Sequence, residues 1–249
     1  MQTYPLPQGT ISVINDGLKY QYGTKERIIK SYIQERMKEG FSEFVYAGPV
    51  NAMGAFALAK GCIEAGAYCT LFLCGQYLPA QAKQFPSSVK INLIHDNLYA
   101  VSEKANNYAQ EPVSRFKRFC VPFGINDTLY KSLLKSSIEQ DEIVKGLSPK
   151  RMWLAVGSGT ILSILLELFP ATEFHAVQVG KSLKVETLSE DPAVVESYRQ
   201  RIKIYWSPEK FTQSANILPP YSSLANYDAK VWQFVLKEGQ DGDIIWNVV

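Results

Sequence analysis

Three observations predict an α/β fold built on parallel sheet. The chain has 249 residues, 46% apolar and 20% charged, which is an ordinary globular balance on a chain long enough to bury a sizeable core. Short β-type apolar runs alternate with segments of helical periodicity along its whole length. In two places a strand, a helix and a second strand follow within about 30 residues, the length of a right-handed βαβ unit. Alternating strands and helices make a mainly parallel sheet, or two of them.

Taken in order, Ile11-Ser12-Val13-Ile14 reads as a strand stopped by Asn15-Asp16-Gly17. A helix is expected from Lys25 to Lys38, with Ile28, Ile29, Tyr32, Ile33 and Met37 on one face and Gly40 ending it. Phe44 to Ala47 is a strand, Asn51 to Ala65 a helix of small residues ended by Gly66, and Tyr68 to Leu73 the next strand. Val89 to Ile94 and Arg118 to Pro122 read as strands, with helices near Leu98–Tyr108 and Thr128–Ser137. Met152 to Val156, Ile161 to Phe169 and Phe174 to Val179 form the second strand–helix–strand unit, its helix closed by Pro170. Ile202 to Trp206 is a short strand and Leu224 to Leu236 a helix, and Asp243 to Asn247 docks the C-terminal segment onto the rest. His95 and His175, in or beside apolar strands, and the four tryptophans 153, 206, 232 and 246 are expected in the core.

A net charge of +2 argues against a strong field for nucleic acid or a lipid surface. The four cysteines have no CxxC spacing and there are two histidines, so neither a zinc site nor a disulfide framework is expected. No stretch approaches the roughly 20 apolar residues of a membrane helix. Met1 to Pro5 lacks a basic region followed by an apolar run, so a cytoplasmic protein is expected.

The chemistry starts at Val156-Gly157-Ser158-Gly159-Thr160, between an apolar strand and an apolar helix. A helix start offers unpaired N–H groups to an anion, glycines let the backbone approach it, and the two hydroxyls add donors. The turn matches neither a Walker loop nor a full GxGxxG. The alternative is a plain β-to-α turn capped by Ser158.

Four stretches together resemble one family. Tyr22-Gly23-Thr24-Lys25-Glu26-Arg27 is similar to the Gly-Gly-Asn-Lys-x-Arg-Lys segment of fold type II pyridoxal-phosphate (PLP) enzymes, the tryptophan-synthase-β type. The similar branch holds aminocyclopropane-carboxylate deaminase and D-cysteine desulfhydrase. Pro49-Val50-Asn51-Ala52 resembles their Ser-Asn-His stretch, 157–160 their phosphate cup, and Asn226-Tyr227-Asp228-Ala229-Lys230 their Pro-Val-Tyr-x-Gly-Lys.

The resemblance implies a two-lobed, parallel-sheet fold with a large lobe of residues 1–39 and 113–249, a small lobe of 40–112, and PLP between them. It implies Lys25 as the Schiff-base lysine and Asn51 on the cofactor's phenolic oxygen. Gly157, Ser158, Gly159 and Thr160 would hold the phosphate. Asp228 would sit on the pyridine nitrogen and Tyr227 would handle protons. Lys25 must lose its proton to react, against an ordinary pKa of about 10.4, and partial burial with Arg27 nearby would favour that. An acid on the pyridine nitrogen strengthens the ring as an electron sink.

The family's serine and histidine are replaced here by Val50 and Ala52. An apolar wall beside the substrate carboxylate would favour decarboxylation over deamination or elimination. The expected substrate is an amino acid, free or attached to a DNA base. A compact variant of this fold resembles phage-encoded PLP enzymes that tailor modified thymidines, and Arg115, Lys117 and Arg118 interleave with Phe116 and Phe119 as a DNA contact would. The alternative is an alternating strand with one charged face. Related enzymes are commonly homodimers. The reading outside enzymes is an anion-binding α/β module in which Lys25 is an ordinary surface residue.

Overall fold

The computed structural model describes residues 1–112, 117–180 and 182–249. In chain order its strands and helices are β1 (Gln2–Leu6), β2 (Gly9–Asn15), α1 (Ile29–Lys38), β3 (Glu43–Pro49), α2 (Met53–Ala65), β4 (Tyr68–Cys74), β5 (Val89–Ile94), α3 (Leu98–Gln110) and β6 (Arg118–Val121). There follow α4 (Thr128–Glu139), β7 (Arg151–Val156), α5 (Thr160–Leu168), β8 (Glu173–Gln178), α6 (Pro192–Arg201), β9 (Ile202–Trp206), α7 (Trp232–Glu238) and β10 (Asp243–Asn247). They fall into two units, one of residues 1–24 and 134–249 and the other of 25–133. The expected lobe bounds of 40 and 112 lie inside the second unit. Its α1 packs Ile29 against Gly61 of α2, and its β6 pairs with β3.

The first unit holds a six-stranded sheet in the order β1-β2-β10-β7-β8-β9. Every pairing is parallel except the β1–β2 hairpin, whose register runs from Gln2↔Val13 to Leu6↔Gly9. Inner parallel strands are covered on both faces, so they read as unbroken apolar runs rather than alternating ones. Accordingly Met152 to Val156 of β7 and all of β10 are buried. Ile11, Val13, Trp153, Val177, Val235 and Ile245 form part of the core, each worth about 1.5–3 kcal/mol for leaving water. The apolar α5 is buried from Thr160 to Leu166, as expected of a helix hydrophobic all round.

The second unit holds a four-stranded, wholly parallel sheet in the order β5-β4-β3-β6. Glu43 to Gly48 of β3 are all buried, and α2 ends at Gly66 in the left-handed region (φ 74°), as its sequence position predicts. No helix of the described residues is long and apolar enough to cross a membrane.

Several expectations change. The helix expected from Lys25 splits into a 3-10 turn, Gly23–Arg27, and α1 beginning at Ile29. Tertiary bonds hold the turn open: Thr24 N–H donates to the Val248 carbonyl at 2.8 Å, and the Thr24 hydroxyl to Asp16 at 2.6 Å. The helix expected over 224–236 is likewise a 3-10 turn, Asp228–Val231, followed by α7. Asp243–Asn247 docks as a central strand between β2 and β7. Trp206, on edge strand β9, is 62% exposed, whereas Trp153, Trp232 and Trp246 are core. His95 is exposed and His175 buried.

Candidate functional site

In open parallel sheets ligands bind beyond the carboxyl ends of the strands, where the strand order reverses. In the first unit the order reverses beside β7, since β8 and β9 lie on one side and β10 on the other. The glycine-rich turn leaves β7 at that place. Gly159 is the N-cap of α5 with φ 84° and makes no side-chain cap, and Ser158 does not play the capping part expected of it. Its hydroxyl instead lies 3.1 Å from that of Thr160. A Cβ on Gly159 would lie 2.8 Å from Leu188 and 2.9 Å from Leu183. Glycine is therefore required by both conformation and space. No acidic residue occupies the first turn of α5, so the positive helix end is not neutralised locally.

Tyr227 and Asp228 meet this edge. A Cβ on Gly157 would lie 3.0 Å from the Tyr227 hydroxyl oxygen. Burial pushes the Tyr227 phenol well above its ordinary pKa, and the Asp228 carboxylate adds to this; a hydrogen bond from the Gly157 backbone works the other way. The phenol therefore keeps its proton. Asp228 is buried, its Oδ1 accepting from Val248 N–H and its Oδ2 from Val249 N–H, both at 3.1 Å. The tail so held packs on Gly17 and on Gly23 (φ 72°), where a Cβ would collide with its backbone. Trp246 Nε1–H donates to the Thr24 hydroxyl at 3.1 Å. This knot of Asp16, Thr24, Trp246 and Asp228 fixes the residue just before Lys25.

In the second unit the strand order reverses beside β3, with β4 and β5 on one side and β6 on the other. Asn51 and the start of α2 follow β3 there. Lys25 lies against the first turn of α2, its Cδ 3.3 Å and its Cε 3.7 Å from where a Gly54 Cβ would stand. Tyr130 donates its hydroxyl to the Lys25 carbonyl at 3.0 Å. Glu26, next in the turn, pairs with Lys60 of α2. Val50 packs against Gly75.

Two residues were given no role in the sequence reading. Tyr46 of β3 is buried, and its hydroxyl lies 3.5 Å from the same Gly54 position. Lys230 is wholly buried, its Nζ donating to the Lys210 carbonyl at 2.8 Å, and burial lowers its pKa. A tyrosine inside an apolar strand carries no local signal. Lys230 had one, the Tyr-x-x-Lys spacing.

Of the basic–aromatic stretch, Arg115 and Phe116 lie outside the described residues. Arg118 pairs with Glu43 at 2.8 Å and stacks 3.7 Å over Tyr108, its side chain 8% exposed. Lys117 donates to the Glu39 carbonyl at 2.9 Å and lies over Phe41. Both described cations are thus tied to groups of their own unit.

No protein-family model matches the chain, and no curated protein matches it in sequence. Solved structures do match its fold. An ACC deaminase homologue superposes with a TM-score of 0.72 at 16% identity, covering 96% of this chain and 83% of that one. An O-acetylserine-dependent cystathionine β-synthase from Helicobacter pylori gives 0.67 at 16% identity, with 99% and 89% covered. A fungal L-serine ammonia-lyase from Rhizomucor miehei gives 0.66 at 12% identity, with 97% and 88% covered. The fold is the parallel-sheet α/β fold of the fold type II enzymes.

Proposed function

We propose that the chain is a PLP-dependent lyase that cleaves a bond at the α-carbon of an amino acid. The observation that carries this reading is the place of Lys25, packed on Gly54 just behind Asn51, at the carboxyl edge of a parallel sheet. The residues present also suit the cofactor. The uncapped start of α5, its glycines and two neighbouring hydroxyls form a donor set for a phosphate dianion.

When bound, PLP supplies an electron sink for the bond that breaks. The chain's own residues do the rest. The N–H groups at the start of α5, with Ser158 and Thr160, hold the phosphate. Lys25 would hold the cofactor through its amine and would take or return a proton at the substrate α-carbon. Asn51 donates to the phenolic oxygen. Tyr227, protonated in its buried setting, would give a proton. Asp228, whose carboxylate oxygens accept the Val248 and Val249 N–H groups, would face the pyridine nitrogen.

Val50 supports loss of carbon dioxide ahead of deamination or elimination. It offers no hydroxyl where the family has serine, and an apolar neighbour disfavours a carboxylate relative to neutral carbon dioxide. A Val50→Ser variant should release carbon dioxide more slowly, and an unchanged rate would remove this preference. A free amino acid is the simpler substrate, because Lys117 and Arg118 are occupied within their own unit.

The test is an absorption spectrum with added PLP, beside Lys25→Ala. The expected result is a near-visible band that borohydride abolishes and the variant lacks, together with at least a hundredfold loss of activity in the variant. No band in either protein would overturn the reading and leave an anion-binding module.

A further inference from the structure

Exposed aromatic rings gather at one edge of the second unit. Four connections leave the carboxyl edge of its sheet, one after each of β5, β4, β3 and β6. Three of them carry or lead straight into an exposed ring: Tyr99 after β5 (80% exposed), Tyr77 after β4 (81%) and Phe123 after β6 (40%). The fourth, after β3, carries Asn51. Among the described residues of this unit the remaining exposed ring is Tyr68, at the amino start of β4. Rings left in water cost free energy, and several collected at one edge mark a surface made to be covered.

Tyr77 and Phe123 belong to the two neighbours of β3, so their loops leave on either side of Asn51, each about 5 Å away in strand spacing. Tyr99 is one strand further out. Both flanking loops are tied to the loop of Asn51. Val50 N–H donates to the Cys74 carbonyl at 3.0 Å, and the Val50 side chain fills the space that a Cβ on Gly75 would need. On the other side Gly124 N–H, next to Phe123, donates to the Tyr46 hydroxyl of β3 at 3.2 Å. Ile125 follows, wholly buried at φ 56°, where a β-branched side chain is rarely found. Its N–H closes the turn on the Pro122 carbonyl at 2.8 Å. Strained backbone of this kind collects at ligand sites, where the fold must hold one direction of the chain. Here Ile125 goes inward and Phe123 stays in water.

We propose that Tyr77 and Phe123 are specificity-determining residues: the two rings flank the substrate's side chain beside Asn51 and select an amino acid that carries an aromatic group. The assignment rests on the PLP reading, in which Lys25 and Asn51 hold the cofactor at this edge. An aromatic group meets other rings edge-on or offset and gains more than its buried area alone supplies, which a small or polar side chain cannot do.

The probes are L-phenylalanine and L-alanine, with dissociation constants read by saturation-transfer NMR on protein with and without added PLP. The wild-type protein should bind L-phenylalanine at least tenfold more tightly than L-alanine. Phe123→Ala and Tyr77→Ala should each cut that preference about three- to tenfold and leave the constant for L-alanine unchanged. Both rings are exposed, so both variants should fold. Tyr68→Ala makes the same change at the opposite edge and should leave the preference intact. No preference in the wild-type protein, or an equal loss in Tyr68→Ala, overturns the inference even where the PLP band is present. A preference that depends on Tyr77 and Phe123 in a protein without a PLP band upholds the aromatic-binding edge and removes the PLP reading alone.

Discussion

At the amino edge of the six-stranded sheet, charged and aromatic side chains bond to one another, whereas its carboxyl edge is made of glycines and backbone N–H groups. At the amino edge Arg151 donates to His175 Nε2, His175 Nδ1 lies 2.9 Å from the Tyr205 hydroxyl, and that hydroxyl donates to Glu238, which also pairs with Lys203. Trp153 stacks on His175 at 4.1 Å between ring centroids. Arg151, Glu173, His175, Lys203, Glu238 and Gln240 line a cavity of about 420 Å³. Bonds closed among side chains hold strands in register. Backbone donors at a helix start suit an arriving anion. One sheet thus separates an edge of closed side-chain bonds from the edge proposed to bind.

Three substitutions or titrations test that separation. The largest effect is expected at Asp228→Ala, which strips two backbone N–H groups of a charged acceptor. Such bonds contribute about 1.5–3 kcal/mol each, so urea unfolding should show a loss of about 3–6 kcal/mol, along with loss of the PLP band. An unchanged midpoint would mean that Val248 and Val249 are held in some other way.

The amino edge should respond to acid alone. Burial, then the positive charges of Arg151 and Lys203, push the His175 pKa down to about 3. Unfolded, it titrates near 6.5, so below that pH the unfolded chain binds a proton that the folded chain refuses. Stability is therefore full above about pH 6.5 and falls as the pH drops toward 3. Between pH 7 and 4 the loss should be about 3 kcal/mol, read from urea midpoints. His175→Gln should flatten that slope and leave PLP binding at pH 7 unchanged. If it weakens PLP binding, the two edges are not independent.

The smallest effect on stability is expected at Gly159→Ala. Its Cβ meets Leu183 and Leu188 and must occupy φ 84°, a cost of about 1–3 kcal/mol. Affinity for PLP or inorganic phosphate should fall further than stability does. Equal losses would mean that this turn is only a tight connection.

Much of this was legible in the residues. Val89–Ile94 and Ile202–Trp206 occupy the bounds their apolar patterns predict, and Gly66 ends α2 as expected. The glycines of 157–160 sit at a helix start because local chain geometry demands them there. Bounds failed where partners are distant. Lys25 belongs to a 3-10 turn, not a helix, through bonds from Thr24 to Val248 and from Trp246 to Thr24, the latter across 222 positions. Trp206 read as core because it is large and apolar, but an edge strand has one uncovered side.

The sequence by itself determined the fold class, the alternation of strands and helices, and the glycine turn suited to an anion. These depend on periodicity and on backbone freedom, which are properties of neighbouring residues. Only the tertiary structure decided that Asp243–Asn247 is a central strand, that Asp228 holds Val248 and Val249 after that strand, and that Tyr46 and Lys25 both lie against Gly54. Parallel pairing joins segments far apart in the chain, and no local pattern specifies which of several apolar runs will lie side by side.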